Sequence, residues 1–595
     1  MKFPYGICDF EAIVKEGYFY LDRTDRIRLV EEMGKQLLFL RPRRFGKSLW
    51  LSTLENYYDV ARANEFERLF GHLAIGQAPT PLHNEYLVLK WDFSMVDPQG
   101  AINDIRRSLH NHLNNSLKSF AWRYREHFSY TIEIDPADAI SSFESVMAAV
   151  RESGRSLYLL IDEYDNFANE VMMSRGGVSG ERYRALLYGE GALKTVFKAV
   201  KAASAGRGLD RVFITGVSPV VMSDVTSGYN VADGVYLEPE LSDLCGFREA
   251  EVAGVVRRVV EGCGFPDERV DEALAMLRTF YDGYNFTEHT AESVYNPTLV
   301  LYFLKYFQKR CAYPRQMLDA NLALDRAKLA YVAGLPNGGQ LILEALEGEG
   351  ETLDISELAD RFGVEDMLRG DKEASFAGSL LYYLGVLTIG GQSARGKLSL
   401  RIPNLVTRRL YAEQIRDMLL PAGVRVEMGR VAEALYAEGE MEPLCDFVEE
   451  RYFGVFDNRD YRWANELTVK TAFLTLLFDD VLYIMDSEPA LERGYADLVM
   501  IIRPDMRKYE LLDILIEFKY VGLGELGMSG AEVKEASRAE LRALPVVAGK
   551  LAEAREELVR HRRALEGRYG AALRLRSYAV VSLGFDRLVW EESRA

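Results

Sequence analysis

Between residues 37 and 54 the chain reads Leu37-Leu38-Phe39-Leu40, then Arg41-Pro42-Arg43-Arg44-Phe45-Gly46-Lys47-Ser48, then Leu49-Trp50-Leu51-Ser52-Thr53-Leu54. A short apolar strand, a polar loop closing on Gly-Lys-Ser and a helical pattern constrain the fold more than any other stretch. A strand that feeds a helix in this way commits itself to a parallel sheet covered by helices. The loop also has a chemistry. Gly46 lets the backbone approach an anion, Lys47 can reach the terminal phosphates of a nucleotide, and Ser48 offers a hydroxyl to Mg²⁺. The helix N-terminus adds amides and its positive dipole end. The loop departs from pattern at Arg41 and Pro42, where a first glycine is expected, and Arg43 and Arg44 bring side-chain charge instead.

A second strand, Ser156-Leu157-Tyr158-Leu159-Leu160-Ile161-Asp162-Glu163, ends in two acids, the form of a Walker B element. Asp162 is placed to help hold Mg²⁺ and Glu163 to polarise an attacking water. A third, Arg211 to Pro219, ends in small polar residues, and Thr215 or Ser218 at its tip could sense a γ-phosphate. A fourth is expected at Tyr86 to Phe93. With helical segments such as Ile102 to Leu117 between them, these strands predict a doubly wound parallel sheet that binds ATP.

Near the C-terminus two apolar, β-rich runs carry charges: Asp497 in Gly494-Tyr495-Ala496-Asp497-Leu498-Val499, then Glu517 and Lys519 in Ile514-Leu515-Ile516-Glu517-Phe518-Lys519-Tyr520. A hairpin centred near Arg507 would set Asp497 opposite Glu517, and alternation along the strand puts Lys519 on the same face as Glu517. Two acidic oxygen ligands and one cation on one sheet face suit a hard divalent metal and a phosphodiester. Glu466 opens an amphipathic segment (Leu467, Val469, Phe473, Leu474, Leu476, Leu477) and is a further candidate ligand.

The bulk properties bound these readings. At 595 residues the chain needs several cores, and 48% hydrophobic with 27% charged residues describes an ordinary soluble protein. No apolar run reaches transmembrane length, and Met1-Lys2-Phe3-Pro4-Tyr5-Gly6 has no signal-peptide core. Cys8, Cys245, Cys263, Cys311 and Cys445 are scattered, with neither metal-type spacing nor a disulfide framework, so a reducing cytoplasm is expected. A net charge of −18 counts against a surface uniformly coated for DNA binding but does not exclude a local basic groove. Arg560-His561-Arg562-Arg563, with Arg568, Arg574 and Arg576, is a candidate for such a groove, or is a solvated helix end. His110 and His112, two apart on an expected helix, diverge and make no metal site.

The resemblance to known proteins rests on Pro4-Tyr5-Gly6-Ile7, Tyr20-Leu21-Asp22-Arg23-Thr24, the Arg41–Ser48 loop, Asp162-Glu163-Tyr164-Asp165, Tyr281-Asp282-Gly283-Tyr284 and Tyr295-Asn296-Pro297. With them, the chain resembles a group of prokaryotic proteins that join an AAA-ATPase-like domain to a C-terminal PD-(D/E)XK nuclease-like domain. Asp497, Glu517 and Lys519 stand in the three nuclease signature positions, with Ala496 where proline is usual. The resemblance implies an α/β multidomain chain: an AAA-like P-loop core over residues 1–232, a helical lid over 233–335, a helical, winged-helix-like middle over 336–430, and a PD-(D/E)XK-type α/β domain over 431–595. In the middle, Leu353 to Pro403 reads as helix, helix, then strands at Leu384–Ile389 and Leu398–Ile402.

The implied nucleotide ligands are Arg43, Arg44, Phe45, Gly46, Lys47, Ser48, Asp162 and Thr215, with Glu163 catalytic and Ser48 and Asp162 on Mg²⁺. The implied nuclease site is Asp497, Glu517 and Lys519, with Glu466, Asp497 and Glu517 on Mg²⁺ or Mn²⁺. ATP, DNA and further copies of the chain, assembled through the ATPase domain, are the expected partners. An ATP-regulated DNA nuclease is the function implied; a nucleotide-switched binder of nucleic acid or protein, with a nuclease fold that does not cut, is the alternative.

Overall fold

The computed structural model describes residues 1–97, 99–166, 191–219, 222, 231–289, 292–318, 325–334, 338–347, 352–359, 374–420, 422–453, 466–486, 490–491 and 494–593. Two sheets organise it. The first contains β1 (Gln36–Leu40), β2 (Tyr86–Asp92), β3 (Ser156–Asp162), β4 (Leu209–Gly216) and the short β5 (Asp233–Gly234) in the order β2-β3-β4-β1-β5. Every pairing in it is parallel. β1 and β3 are buried along nearly their whole length, as strands covered by helices on both faces must be. The chain passes from β1 to the far edge at β2 and returns strand by strand, so the ends of β1 and β3 open on the same side, where loops can converge on a ligand.

The strands fall where the apolar runs predict, within a few residues. The phosphate-loop helix is Lys47–Tyr58, entered through Gly46 at φ 99° and Arg44 at φ 66°. The helix expected from Ile102 extends to Arg123. Helices Glu249–Gly262, Glu268–Tyr281 and Pro297–Arg310 follow, in the region where helices are expected.

Two expectations are corrected. Cys263 and Cys311 form a disulfide with their Cα atoms 5.6 Å apart. Cys263 caps the Glu249–Gly262 helix and Cys311 caps the Pro297–Arg310 helix, so two packed helices bring their C-terminal ends together across 48 residues of sequence. Spacing alone cannot show such a meeting. The Leu353 to Pro403 stretch also begins with a strand, not a helix: β6 (Thr352–Ile355) pairs with β8 (Leu398–Arg401), which pairs with β7 (Thr388–Gln392), all antiparallel. The apolar stretch at 384–387 is the turn entering β7, with Gly385 at φ +77°. Gly-rich punctuation expected at 335–337 and 348–351 lies outside the described residues.

The second sheet runs β15 (Arg587–Glu592), β14 (Leu575–Leu583), β13 (Asp513–Val521), β12 (Leu498–Ile502) and β9 (Tyr483–Asp486), with the two-residue strands β10 (Ala490–Leu491) and β11 (Gly494–Tyr495) paired separately. β13 and β14 are parallel and the other neighbours antiparallel. The Pro545–Tyr569 helix covers one face. Its buried Val547, Leu551, Ala554, Leu558, His561 and Leu565 recur every three or four residues, the stripe that an amphipathic helix lays on a sheet. The Glu466–Leu477 helix covers the other, with Phe473 and Phe518 ring centroids 4.9 Å apart. No helix among the described residues is long and apolar enough to cross a membrane.

Arg503, at the end of β12, is fully buried and joins this sheet to the segment after the lid helices. Its guanidinium donates to the carbonyls of Pro314 (2.9 Å), Arg315 (3.0 Å) and Asp480 (2.9 Å) and pairs with Asp505 at 3.1 Å. Replacing it by methionine would fill similar volume but strand three carbonyls and a carboxylate. Arg503→Met is expected to cost about 3 kcal/mol or more, as loss of one partner from a buried ionic cluster does, measured as a lower urea midpoint at unchanged slope.

Candidate functional site

The Arg41–Ser48 loop borders a cavity of about 320 Å³. Arg44, Gly46, Lys47, Ser48 and Glu163 give it a polar lining, with Phe45 among them. Pro4, Ile7, Phe19, Phe247 and Leu301 form an apolar wall. A floor of loop amides and cations beside an apolar wall is what a nucleotide, charged at one end and planar at the other, requires. The two N-terminal motifs quoted for the resemblance thus acquire a place, in or beside that wall.

Arg41 replaces the missing glycine structurally. Only 2% exposed, it donates to the carbonyls of Leu40 (2.8 Å), Tyr236 (2.7 Å) and Leu241 (2.9 Å). Its guanidinium lies 4.0 Å from the Phe286 ring centroid and 4.5 Å from that of Phe39. Burial pulls its pKa down to about 10, which leaves it charged at neutral pH. Pro42 packs on Gly385, where an added Cβ would come within 2.5 Å of it. The carbonyl of Arg44 accepts a 2.7 Å hydrogen bond from Thr298, at the start of the helix that Asn296 caps. The loop is therefore held by the Pro297–Arg310 helix and by the turn at Gly385 as well as by its own sheet.

Lys47 is buried, with Nζ donating to the carbonyls of Arg41 (2.9 Å) and Pro42 (3.0 Å), and burial pulls its pKa down against the pull of Glu163 and Asp162. Glu163, at φ +48°, is turned out of the line of β3. Burial raises its pKa, and Lys47 and Arg43 oppose the rise. Arg43 donates to Asn166. Asp162 is buried beside Thr215, whose hydroxyl donates to it at 2.7 Å. Ser218 serves Asp165 instead, through its amide (2.9 Å) and hydroxyl (3.0 Å). Phe45 is buried edge-on to Tyr284 and Phe286.

In the second sheet, β12 and β13 pair Leu498 with Ile516, Val499 with Leu515 and Met500 with Ile514. One step on, Asp497 stands opposite Glu517, the register that a hairpin centred on Arg507 demands. Asp497 Oδ2 accepts from the Phe518 amide at 2.7 Å. Glu517 is 1% exposed; burial first, then the nearby Asp497 charge, raise its pKa strongly. Lys519 Nζ lies 2.7 Å from Glu557 Oε2. Glu466 does open the covering helix, but its side chain lies outside the described residues. Among the described residues no group of three or more His, Cys, Asp or Glu is arranged to hold a metal ion.

Sequence reading missed His561 and Glu557. His561 Nδ1 lies 2.6 Å from Glu517 Oε1. In the sequence it was visible only as part of a basic run. That run is divided: Arg560, Arg563 and Arg568 are exposed, Arg562 and Arg574 donate to backbone carbonyls, and Arg576 pairs with Glu592. The i,i+4 spacing of Glu557 and His561 was the available signal.

A P-loop-type α/β domain with its acid pair is thus the class that fold and site define. Residues 4–226 match the AAA-ATPase-like family, described as a predicted AAA-ATPase. A protein of Azotobacter chroococcum mcd 1, the uncharacterized protein in the vnfD 5′ region, is 26% identical over 456 residues, covering 73% of this chain and 74% of that protein. The Walker-type ATPase of Pyrococcus abyssi aligns over 66% of this chain and 96% of its own at 15% identity, with TM-score 0.36. The ORC2 protein of Aeropyrum pernix aligns over 71% and 94% at 13% identity, with TM-score 0.30.

The state of Glu517 gives a signed prediction. Its folded pKa is raised, so above the unfolded value near 4.5 the native state holds a proton that the unfolded state has lost, and stability falls as pH rises toward the folded pKa. Glu517→Gln removes this slope. In EDTA at pH 8 its melting temperature should exceed wild type, by about 2–4 °C for each kcal/mol relieved, and the difference should vanish at pH 4.

Proposed function

We propose that this protein is a nucleotide-binding ATPase that governs a metal-dependent phosphodiesterase in its C-terminal sheet, with DNA as substrate. The observation that carries the second half is the hairpin register, which sets Asp497 against Glu517, with Lys519 two residues along the same strand face. The first half is supported by the cavity between the Gly-Lys-Ser loop and Glu163 and by the AAA-ATPase-like match.

At the nucleotide, the loop amides, Lys47 and Arg44 bind the phosphates, while Glu163, its proton affinity raised by burial, accepts the proton of the attacking water. Ser48 and Asp162 would hold Mg²⁺ there. In the second site the donor chemistry fits a hard divalent ion. Two carboxylates face each other across a hairpin, and their mutual repulsion and burial keep a proton on Glu517 where a cation would sit more favourably. Mg²⁺ or Mn²⁺ bound there, with Glu466 a further candidate ligand, would supply an activated water and offset phosphate charge. Lys519 adds an ammonium beside the transferred phosphate, and its contact with Glu557 fixes where that charge stands.

A second reading is a nucleotide-switched binder whose nuclease-like sheet grips DNA or protein without cutting. The deep burial of Glu517, 1% exposed and met by His561, favours it. Assembly of several copies through the ATPase domain belongs to either reading.

Cleavage of plasmid and linear DNA with Mg²⁺ or Mn²⁺, with and without ATP, separates the two. Asp497→Ala is expected to lower cutting by about 10²-fold or more, the scale for removing a preorganised charge-stabilising group, while ATP hydrolysis persists. Lys47→Ala should abolish ATP hydrolysis and the response of cutting to ATP. ATP hydrolysis with no cutting under either metal would favour the binder.

A further inference from the structure

Glu517 and Lys519 stand two apart on β13, and Glu557 and His561 stand four apart on the helix that crosses the same face. Two strand residues advance about 6.7 Å and four helical residues about 6 Å, so the pairs match. Lys519 meets Glu557 at 2.7 Å and Glu517 meets His561 at 2.6 Å. His561 also falls in the helix's apolar stripe, three residues after Leu558 and four before Leu565, and is 3% exposed. A leucine would suit that position; an imidazole there is explained by the carboxylate it meets.

Resting on the nuclease reading, we propose that His561 is a positioning residue for Glu517: its Nδ1 holds Oε1 and thereby sets the other oxygen toward Asp497. Asp497 is restrained in the same manner, since its Oδ2 is taken by the Phe518 amide. Each carboxylate then keeps one oxygen, Glu517 Oε2 and Asp497 Oδ1, for an ion shared between them. A partner that fixes a ligating carboxylate governs metal affinity without touching the metal.

The test is Mn²⁺ binding by the full chain without nucleotide, followed by calorimetry, with cleavage and melting in EDTA measured alongside. His561→Asn places an amide nitrogen near the position of Nδ1 and should bind Mn²⁺ within about threefold of wild type, well inside the 10–100-fold loss that removing such a partner brings. His561→Gln, whose amide reaches toward the Nε2 position, and His561→Leu, which completes the stripe, should both bind about 10–100-fold more weakly. His561→Leu should melt no lower than wild type. Mn²⁺ affinity unchanged in His561→Gln or His561→Leu would overturn the assignment while leaving the nuclease reading standing. Wild type that neither binds Mn²⁺ nor cuts would overturn that reading and this inference with it.

Discussion

The guanidinium of Arg41 is the fixed point of the N-terminal half. A phosphate loop built round glycines keeps its shape through backbone turns alone. Here the first glycine is absent, and a buried cation takes over by gathering carbonyls from Leu40, Tyr236 and Leu241 between two aromatic rings. All three acceptors are neutral dipoles, so the charge is solvated by peptide groups and ring faces rather than cancelled by an acid. The consequence is architectural. Tyr236 and Leu241 follow the core sheet, Phe286 lies between the lid helices, and Pro42 rests on Gly385 of the middle module. The loop that would hold phosphate cannot keep its shape unless three later segments of chain are in place.

In the C-terminal half the corresponding constraint is register. With a side-chain period of two, a slip of one residue between β12 and β13 would carry Glu517 and Lys519 to the opposite face and bury them against Phe473 and its neighbours. The apolar residues that flank the charges prevent the slip, and the Arg507–Asp513 ion pair at 2.6 Å pins the hairpin near its turn. The same burial that secures the register makes the acid pair costly, since two carboxylates side by side in a dry sheet cannot both ionise without a cation.

Much of this was legible in the sequence, because it is written in local patterns. Apolar runs ending in Gly-Lys-Ser or Asp-Glu gave β1 and β3, and the symmetry of 497 and 517 about 507 gave the hairpin. What sequence could not supply were the meetings of distant residues. Arg41 reads only as a departure from the glycine pattern, yet it is a core residue, because two of the carbonyls it gathers lie about two hundred positions away. Cys263 and Cys311 read as unrelated thiols until two helices of the lid end side by side. His561 was hidden in a basic run whose other members face solvent, backbone or, at Arg576, Glu592. The strand at Thr352–Ile355 was missed because four residues beside a Gly-rich stretch carry too little periodicity to distinguish strand from helix.

These long-range meetings also form a continuous physical connection between the two sites. Thr298 holds the phosphate loop at Arg44 and begins the Pro297–Arg310 helix. That helix ends at Cys311, which is bonded to Cys263 of the neighbouring lid helix. Three residues on, Pro314 and Arg315 give their carbonyls to Arg503 at the end of β12, the strand that Asp497 precedes. The steps are hydrogen bonds, the Cys263–Cys311 bond, the Pro297–Arg310 helix and the short irregular segment from Cys311 to Arg315, and close-packed interiors transmit displacement rather than absorb it. Arg503 thereby ties the strand that follows Asp497 to the segment after the Pro297–Arg310 helix. The two carboxylates are thus anchored from different parts of the chain: Asp497 precedes a strand held through Arg503, while Glu517 is met by His561 from the Pro545–Tyr569 helix.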